Sequence, residues 1–150
     1  MNQYYTVIEY IRASFASDID VNTITHGTVN ETDIDKKNIF PLVHIETTGA
    51  GLPNGLIVFN FTINALDIRN ISKEKVTDKF LSNDNELDNL NTMFAVINRF
   101  LTRLRIQDND FDIELVQNTS PEPVTYAFTN ALDGWSVDIQ LSIPNTITVC

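Results

Sequence analysis

His26 and His44, the only histidines in the chain, flank a polar stretch, TVNETDIDKKN (28–38), that carries Asp33 and Asp35. Two imidazoles and two carboxylates on adjacent strands and their connecting loop have the donors for a divalent-metal site or an acid/base pair. Asp33-Ile34-Asp35 also has the spacing that opens a calcium loop. The turn glycine and closing glutamate of such a loop are missing, however, and Lys36 and Lys37 would repel the cation. The plainer reading is two ordinary histidines at strand edges.

The other chemically capable residues have equally plain readings. Asp108 with Asp110, and Asp84 with Glu86, fall in turns and helix starts, where acidic residues are expected anyway. Arg99, Arg103 and Arg105 read as the solvated end of a helix. Cys150 is the single cysteine, so neither an intrachain disulfide nor a cysteine-based zinc site can form. The chain holds no G-x-S-x-G elbow, no G-x-x-x-x-G-K-[ST] loop, no strand-borne G-x-G-x-x-G and no H-E-x-x-H. The expectation is a protein that is not an enzyme and has no catalytic residues, bound metal or cofactor. The competing expectation is a small cytosolic metal- or ligand-binding α+β domain, or an enzyme, that uses His44 and the 28–38 loop.

Composition narrows the class of partner. At 150 residues, 43% hydrophobic and 20% charged, the chain has the size and make-up of one globular domain. Its formal charge of −10 opposes gripping nucleic acid, which relies on Lys and Arg displacing counterions from phosphates. An acidic wall beside DNA would instead keep a moving duplex from sticking. No apolar run approaches the roughly 20 residues that span a bilayer. The start, MNQYYTVIEY, lacks a basic n-region and an apolar h-region, so a soluble product of the cytosol is expected, with no membrane partner.

The elements that must position these residues follow from periodicity. Tyr4, Ile8, Ile11 and Phe15 fall on one stripe of a helix over 2–17, opposite Glu9, Arg12 and Ser17. A short strand over 21–26 precedes the polar loop. NIFPLVHIET (38–47) is a strand with Pro41 at its start, where a missing N–H matters least. Strand parity puts Val43 and Ile45 on one face and Leu42, His44 and Glu46 on the other. TTGAGLPNG (47–55) reads as an exposed turn. Ile57, Phe59, Phe61 and Ile63 alternate with polar partners in what should be the central strand. Residues 67–83 show no sustained period and form a long excursion.

The clearest helix covers 84–105, with Leu87, Leu90, Phe94, Ile97, Leu101 and Leu104 as its apolar stripe. Its acidic start and its arginines at the end suit the helix dipole, each such charge being worth roughly 0.3–1 kcal/mol. Strands follow over 112–117 and 124–130. NALDG then reads as a turn cornering at Asp133 and Gly134, and Trp135, Val137, Ile139, Leu141 and Ile143 alternate as far as Pro144. Trp135 belongs to this strand as a core residue. Ile147 and Val149 resume the alternation in a short strand or arm. The expected class is α+β: a single domain with a mixed, mainly antiparallel sheet packed by two helices, in the order α-β-β-β-α-β-β-β.

That order, with the segments that carry it, resembles the tail terminator (tail completion) and related head-to-tail ring proteins of tailed bacteriophages. The matching segments are ITHGTVNETDIDKKNIFPLVHIE after an N-terminal helix, the long strand FNFTINALDI, the second helix in FLSNDNELDNLNTMFAVINRFLTRL, and DGWSVDIQLSIPN. The Asn/Ile-rich composition and the IPN near the end look most like versions from crAss-like phages. The resemblance implies a virion structural protein, made in the host cytoplasm. Copies of the subunit would close into a ring of six or twelve in the neck or tail, beside portal, neck or tail ring proteins. DNA would pass through without specific binding. On this reading Asp33 and Asp35 face the channel. The excursion 71–83, with Lys73, Lys75, Lys79 and Phe80, and the arm 145–150, with Ile147 and Val149, contact neighbouring subunits or rings.

Overall fold

A computed structural model of the chain describes residues 2–28, 39–70, 79–81, 84–106, 109–127 and 131–147. Helix α1 (Gln3–Ala16) leads into the short strand β1 (Thr23–His26), then β2 (Leu42–Gly51) and β3 (Leu56–Ile68). Helix α2 (Glu86–Arg105) follows, and then β4 (Glu114–Asn118), β5 (Glu122–Ala127) and β6 (Leu132–Pro144). The chain is thus a single α+β domain in the expected order. The six strands form one sheet ordered β1-β2-β3-β6-β4, with β5 also on β6. Among the described strands only the β1–β2 pair is parallel; the other pairs are antiparallel. β3 occupies one side of β6 along its whole length, so β4 and β5 share the other side, β4 against Ile139–Ser142 and β5 against Leu132–Ser136.

Alternation built this sheet and chose its covered face. Ile57, Phe59, Phe61, Ile63 and Ala65 of β3 lie in register with Ile143, Leu141, Ile139, Val137 and Trp135 of β6, and this apolar face meets both helices. β3 is the central strand, as its pattern implies. Each Val, Leu, Ile or Phe side chain fully buried this way stabilises the fold by roughly 1.5–3 kcal/mol. Helix α1 contributes Val7, Ile8, Ile11 and Phe15, and the Phe15 ring packs on Phe100 of α2 at 4.4 Å between centroids. Half-buried Trp135 closes the layer, its indole N–H donating to the Leu90 carbonyl at 2.7 Å. The opposite face is largely polar, bearing Asn60, Thr62, Asn64, Ser136, Asp138 and Gln140, with a small apolar cluster around Leu66 and Leu132 at one end.

Several expectations require correction. The strand β2 continues to Gly51, so the turn at 47–55 contracts to 52–55; antiparallel pairing with β3 recruits Thr47, Gly49, Ala50 and Gly51 despite their turn-like types. Asp133 and Gly134 are not a corner but lie inside β6, opposite Asp67 and Leu66. The buried stripe of α2 is Asn89, Met93, Val96, Ile97, Phe100, Leu101 and Leu104, whereas Leu87 and Phe94 are exposed. Phe94 lies at the rim, edge-on to Trp135 at 5.1 Å. Tyr4 is likewise at the edge of the α1 stripe rather than within it.

Candidate interaction surfaces

His44 stands where strand parity put it, on the face of β2 away from Val43 and Ile45, yet it is 0% exposed and so is no strand-edge histidine. Its parallel partner on β1 is Thr25, and the Thr25 hydroxyl lies 2.7 Å from Nδ1. Nε2 lies 2.8 Å from the Gly27 carbonyl. A carbonyl only accepts, so Nε2 carries the proton and donates, leaving Nδ1 to accept from Thr25. Burial holds the His44 imidazole below the ordinary histidine range, with the Gly27 carbonyl and the charge of Glu46 pulling the other way. Both ring nitrogens of this neutral imidazole are thereby engaged in joining β1 to β2. His26 sits at the exposed end of β1 on the helix side, where its Nε2 and the Tyr4 hydroxyl both approach the Thr47 hydroxyl, at 3.3 and 2.7 Å. The two histidines point to opposite faces of the sheet, so they do not converge on one site. Among the described residues, no group of three or more His, Cys, Asp or Glu side chains has the geometry to hold a metal ion.

A second polar centre, unforeseen from the sequence, closes one end of the sheet. Asp133, 0% exposed, receives Arg69 through Nε at 3.0 Å and through a terminal guanidinium nitrogen at 2.8 Å. The same terminal nitrogen reaches Glu86 at the start of α2 at 2.8 Å, and the Arg69 guanidinium stacks 4.8 Å over the Tyr126 ring. Asp133 also accepts the Tyr126 backbone N–H at 2.9 Å, while Asn89 donates to the Ile68 carbonyl at 3.0 Å. Burial alone would raise the Asp133 pKa, but the hydrogen bonds and charge of Arg69 outweigh it and hold the carboxyl below its ordinary value. Asp67, across the strand pair from Asp133, is instead raised, by burial first and also by the negative charge of Asp133. Beside Asp133, a Cβ on Gly134 would lie 1.8 Å from the Ala65 carbonyl oxygen, so only glycine lets β6 approach β3 here.

The arginines of α2 are not simply a solvated helix end. Arg99 grips Asp18 through two nitrogens, at 2.9 and 2.7 Å, and Asp20 at 2.7 Å, tying the α1–β1 connection to α2. Arg103 reaches the Ser17 hydroxyl at 3.2 Å, and Arg105 the Asn118 side chain at 3.3 Å.

The end of the sheet opposite Arg69 has a different character. Asn2, Gln3, Tyr4 and Tyr5 of the α1 start, Ala50 and Leu52 of the β2–β3 hairpin, and Ile57 and Phe59 of β3 enclose a groove of about 510 Å³. Among the described residues no charged side chain lines it, in a chain that carries thirty charged residues, ten basic and twenty acidic. Leu52 is 77% exposed and Tyr5 68%. The segment after β6 passes its rim: Asn145 N–H donates to the Gly55 carbonyl at 3.0 Å, and the Gln3 side chain donates to the Thr146 hydroxyl at 3.1 Å. Ile147 follows at 65% exposed.

Of the residues singled out as contact candidates, Lys79 and Phe80 are exposed just before α2, and Ile147 is exposed beside the groove. Asp33, Asp35, Lys73, Lys75 and Val149 lie outside the described residues. The groove itself had no local signal, because its walls come from three segments brought together by the fold. No helix among the described residues is long and apolar enough to cross a membrane. No protein-family model matches the chain, and no curated protein matches it at significant similarity.

Proposed function

We propose that this chain is a structural subunit of a bacteriophage neck or tail ring, acting in head-to-tail connection or tail completion, through which DNA passes without being specifically held. The observation that carries this reading is the α-β-β-β-α-β-β-β domain, whose long central strand and second helix are built from the segments that resemble ring-forming tail proteins. The uncharged groove and its exposed neighbours supply a surface suited to contact with another protein. The charge of −10 suits a wall from which a duplex is repelled. On this reading the protein is made in the host cytoplasm and resides in the virion as a ring of six or twelve copies, next to portal, neck or tail ring proteins, with no membrane partner and no turnover chemistry. Asp33 and Asp35 are assigned to the channel wall, and Lys73, Lys75, Lys79, Phe80, Ile147 and Val149 to contacts between subunits or rings.

Mass photometry and negative-stain microscopy of the purified chain, alone and with portal and neck proteins, test the proposal. Rings of six or twelve copies are expected. A chain that stays monomeric in the presence of the portal, neck and tail proteins overturns it. The double substitution Asp33→Lys, Asp35→Lys should leave rings intact while making them retain DNA at low salt. Rings that show no change in DNA retention remove these two residues from the channel.

A further inference from the structure

Segment 145–150, NTITVC, alternates apolar Ile147 and Val149 with Thr146, Thr148 and Cys150, the period-2 pattern of a strand with one apolar face. It carries no charged side chain, and among the described residues neither does the groove formed by Tyr4, Tyr5, Ala50, Leu52, Ile57 and Phe59. The base of the segment is fixed at the groove rim by the Gln3–Thr146 and Asn145–Gly55 hydrogen bonds. Ile147, the first apolar residue beyond those bonds, is 65% exposed and so is not seated in the groove of its own subunit. Along the groove wall, β1 covers β2 only as far as Ile45. Among the described residues no strand pairs with the outer edge of β2 from Glu46 to Gly51.

We infer that segment 145–150 of one copy docks in the groove of the next, seating Ile147 and Val149 against Tyr5, Leu52 and Ile57. Arm and groove are different patches; in a ring each copy gives its arm to the next and receives one from the copy before, a head-to-tail contact. The inference rests on the ring reading and adds to it the element that joins neighbouring subunits.

A pair of engineered thiols provides the test. Val149→Cys with Cys150→Ser moves the arm's single thiol onto the face that carries Ile147; in that background Ala50→Cys, exposed on the groove wall, places a second thiol where the docked arm would arrive. Mild air oxidation of this A50C variant should give a ladder of disulfide-linked dimers, trimers and larger species on a non-reducing gel, collapsed by reductant. The wild-type chain, with one thiol, can give no species beyond a dimer. Adding Leu52→Asp to A50C should remove the ladder. A monomer closed by a disulfide between its own groove thiol and its own arm thiol, recognised by faster migration, overturns docking between copies in favour of docking within one chain. Rings in the wild type without a ladder in A50C overturn the arm contact and leave the ring reading standing. A monomeric wild type without a ladder in A50C, in the presence of the portal and neck proteins, overturns both.

Discussion

The two ends of the sheet are built on opposite principles. At the Arg69 end, a buried carboxylate, a guanidinium, an aromatic ring and the start of α2 satisfy one another, and β6 lies so close to β3 that only Gly134 fits. At the hairpin end, Tyr5, Leu52 and Ile147 expose apolar surface around an uncharged groove. Polar groups taken out of water demand specific partners, so the first end is locked to one internal arrangement. Apolar surface left in water gains by being covered, so the second end is suited to association. The same fold thus separates a place where sequence changes should unfold the chain from one where they should only isolate it.

The largest effect expected is at Gly134. Gly134→Ala sets a methyl group 1.8 Å from a backbone oxygen that no side-chain rotation can relieve, so β3 and β6 must part at this point. We expect destabilisation of roughly 4 kcal/mol or more, read as a fall in the urea midpoint or as failure to fold. A midpoint within experimental error of wild type would show that this end is not locked. Arg69→Met is next. It leaves Asp133 buried beside Asp67 with its principal cation gone, and breaking one side of a buried pair typically costs about 3–5 kcal/mol. Arg69→Met combined with Asp133→Leu should recover part of that loss, because the uncompensated charge is gone.

These two residues also mark where reading the sequence stops working. The alternation in Ile57–Ile63 and in Trp135–Ile143 was sufficient to place β3 at the centre of the sheet with β6 as a core strand, since period-2 burial is a local property. Asp133-Gly134 has the composition of a turn, and the reasons it is strand lie elsewhere in the chain: Arg69 for the aspartate and the Ala65 carbonyl for the glycine. The α2 stripe failed in a related way. Leu87 and Phe94 are as apolar as Met93 and Val96, and the sheet selects between the two stripes partly by taking Asn89, whose amide finds the Ile68 carbonyl and Asp133. His44 had its face assigned correctly by parity, but its burial depends on Thr25 and Gly27, which only the parallel β1–β2 pairing brings to it. The groove draws on residues 2–5, 50–52 and 57–59, so no window of sequence could display it.

His44 lies between the extremes, a polar group locked like Asp133 but without a buried charge. His44→Ala should cost about 1–3 kcal/mol by stranding the Gly27 carbonyl and the Thr25 hydroxyl. Its pH signature is separable from the loss of packing. Because burial lowers its pKa in the folded chain, the unfolded state binds the proton more readily, and stability must rise with pH where only the unfolded state is protonated. The contribution is complete above the ordinary histidine value of about 6.5 and declines as pH falls through that value toward the lowered one. Urea midpoints measured from pH 7.5 down to pH 5 should fall for the wild type and flatten over that window in His44→Gln. Equal slopes in the two proteins would show that His44 titrates alike in the folded and unfolded states.

The smallest effect on stability, and the one that sharpens the contrast most, is expected at Leu52. Its side chain is 77% exposed at the hairpin tip and loses little on truncation, so Leu52→Ser should leave the urea midpoint within about 0.5 kcal/mol of wild type. If the hairpin end is a docking surface, the same change removes one wall of the groove and should shift the assembly midpoint to higher protein concentration by about tenfold, a loss of roughly 1.4 kcal/mol per contact. Sedimentation velocity across a concentration series measures that shift. A stability loss as large as that of Arg69→Met would mean that Leu52 supports the fold of its own subunit. Unchanged stability with weakened assembly would mean that the two ends divide the work of folding and association between them.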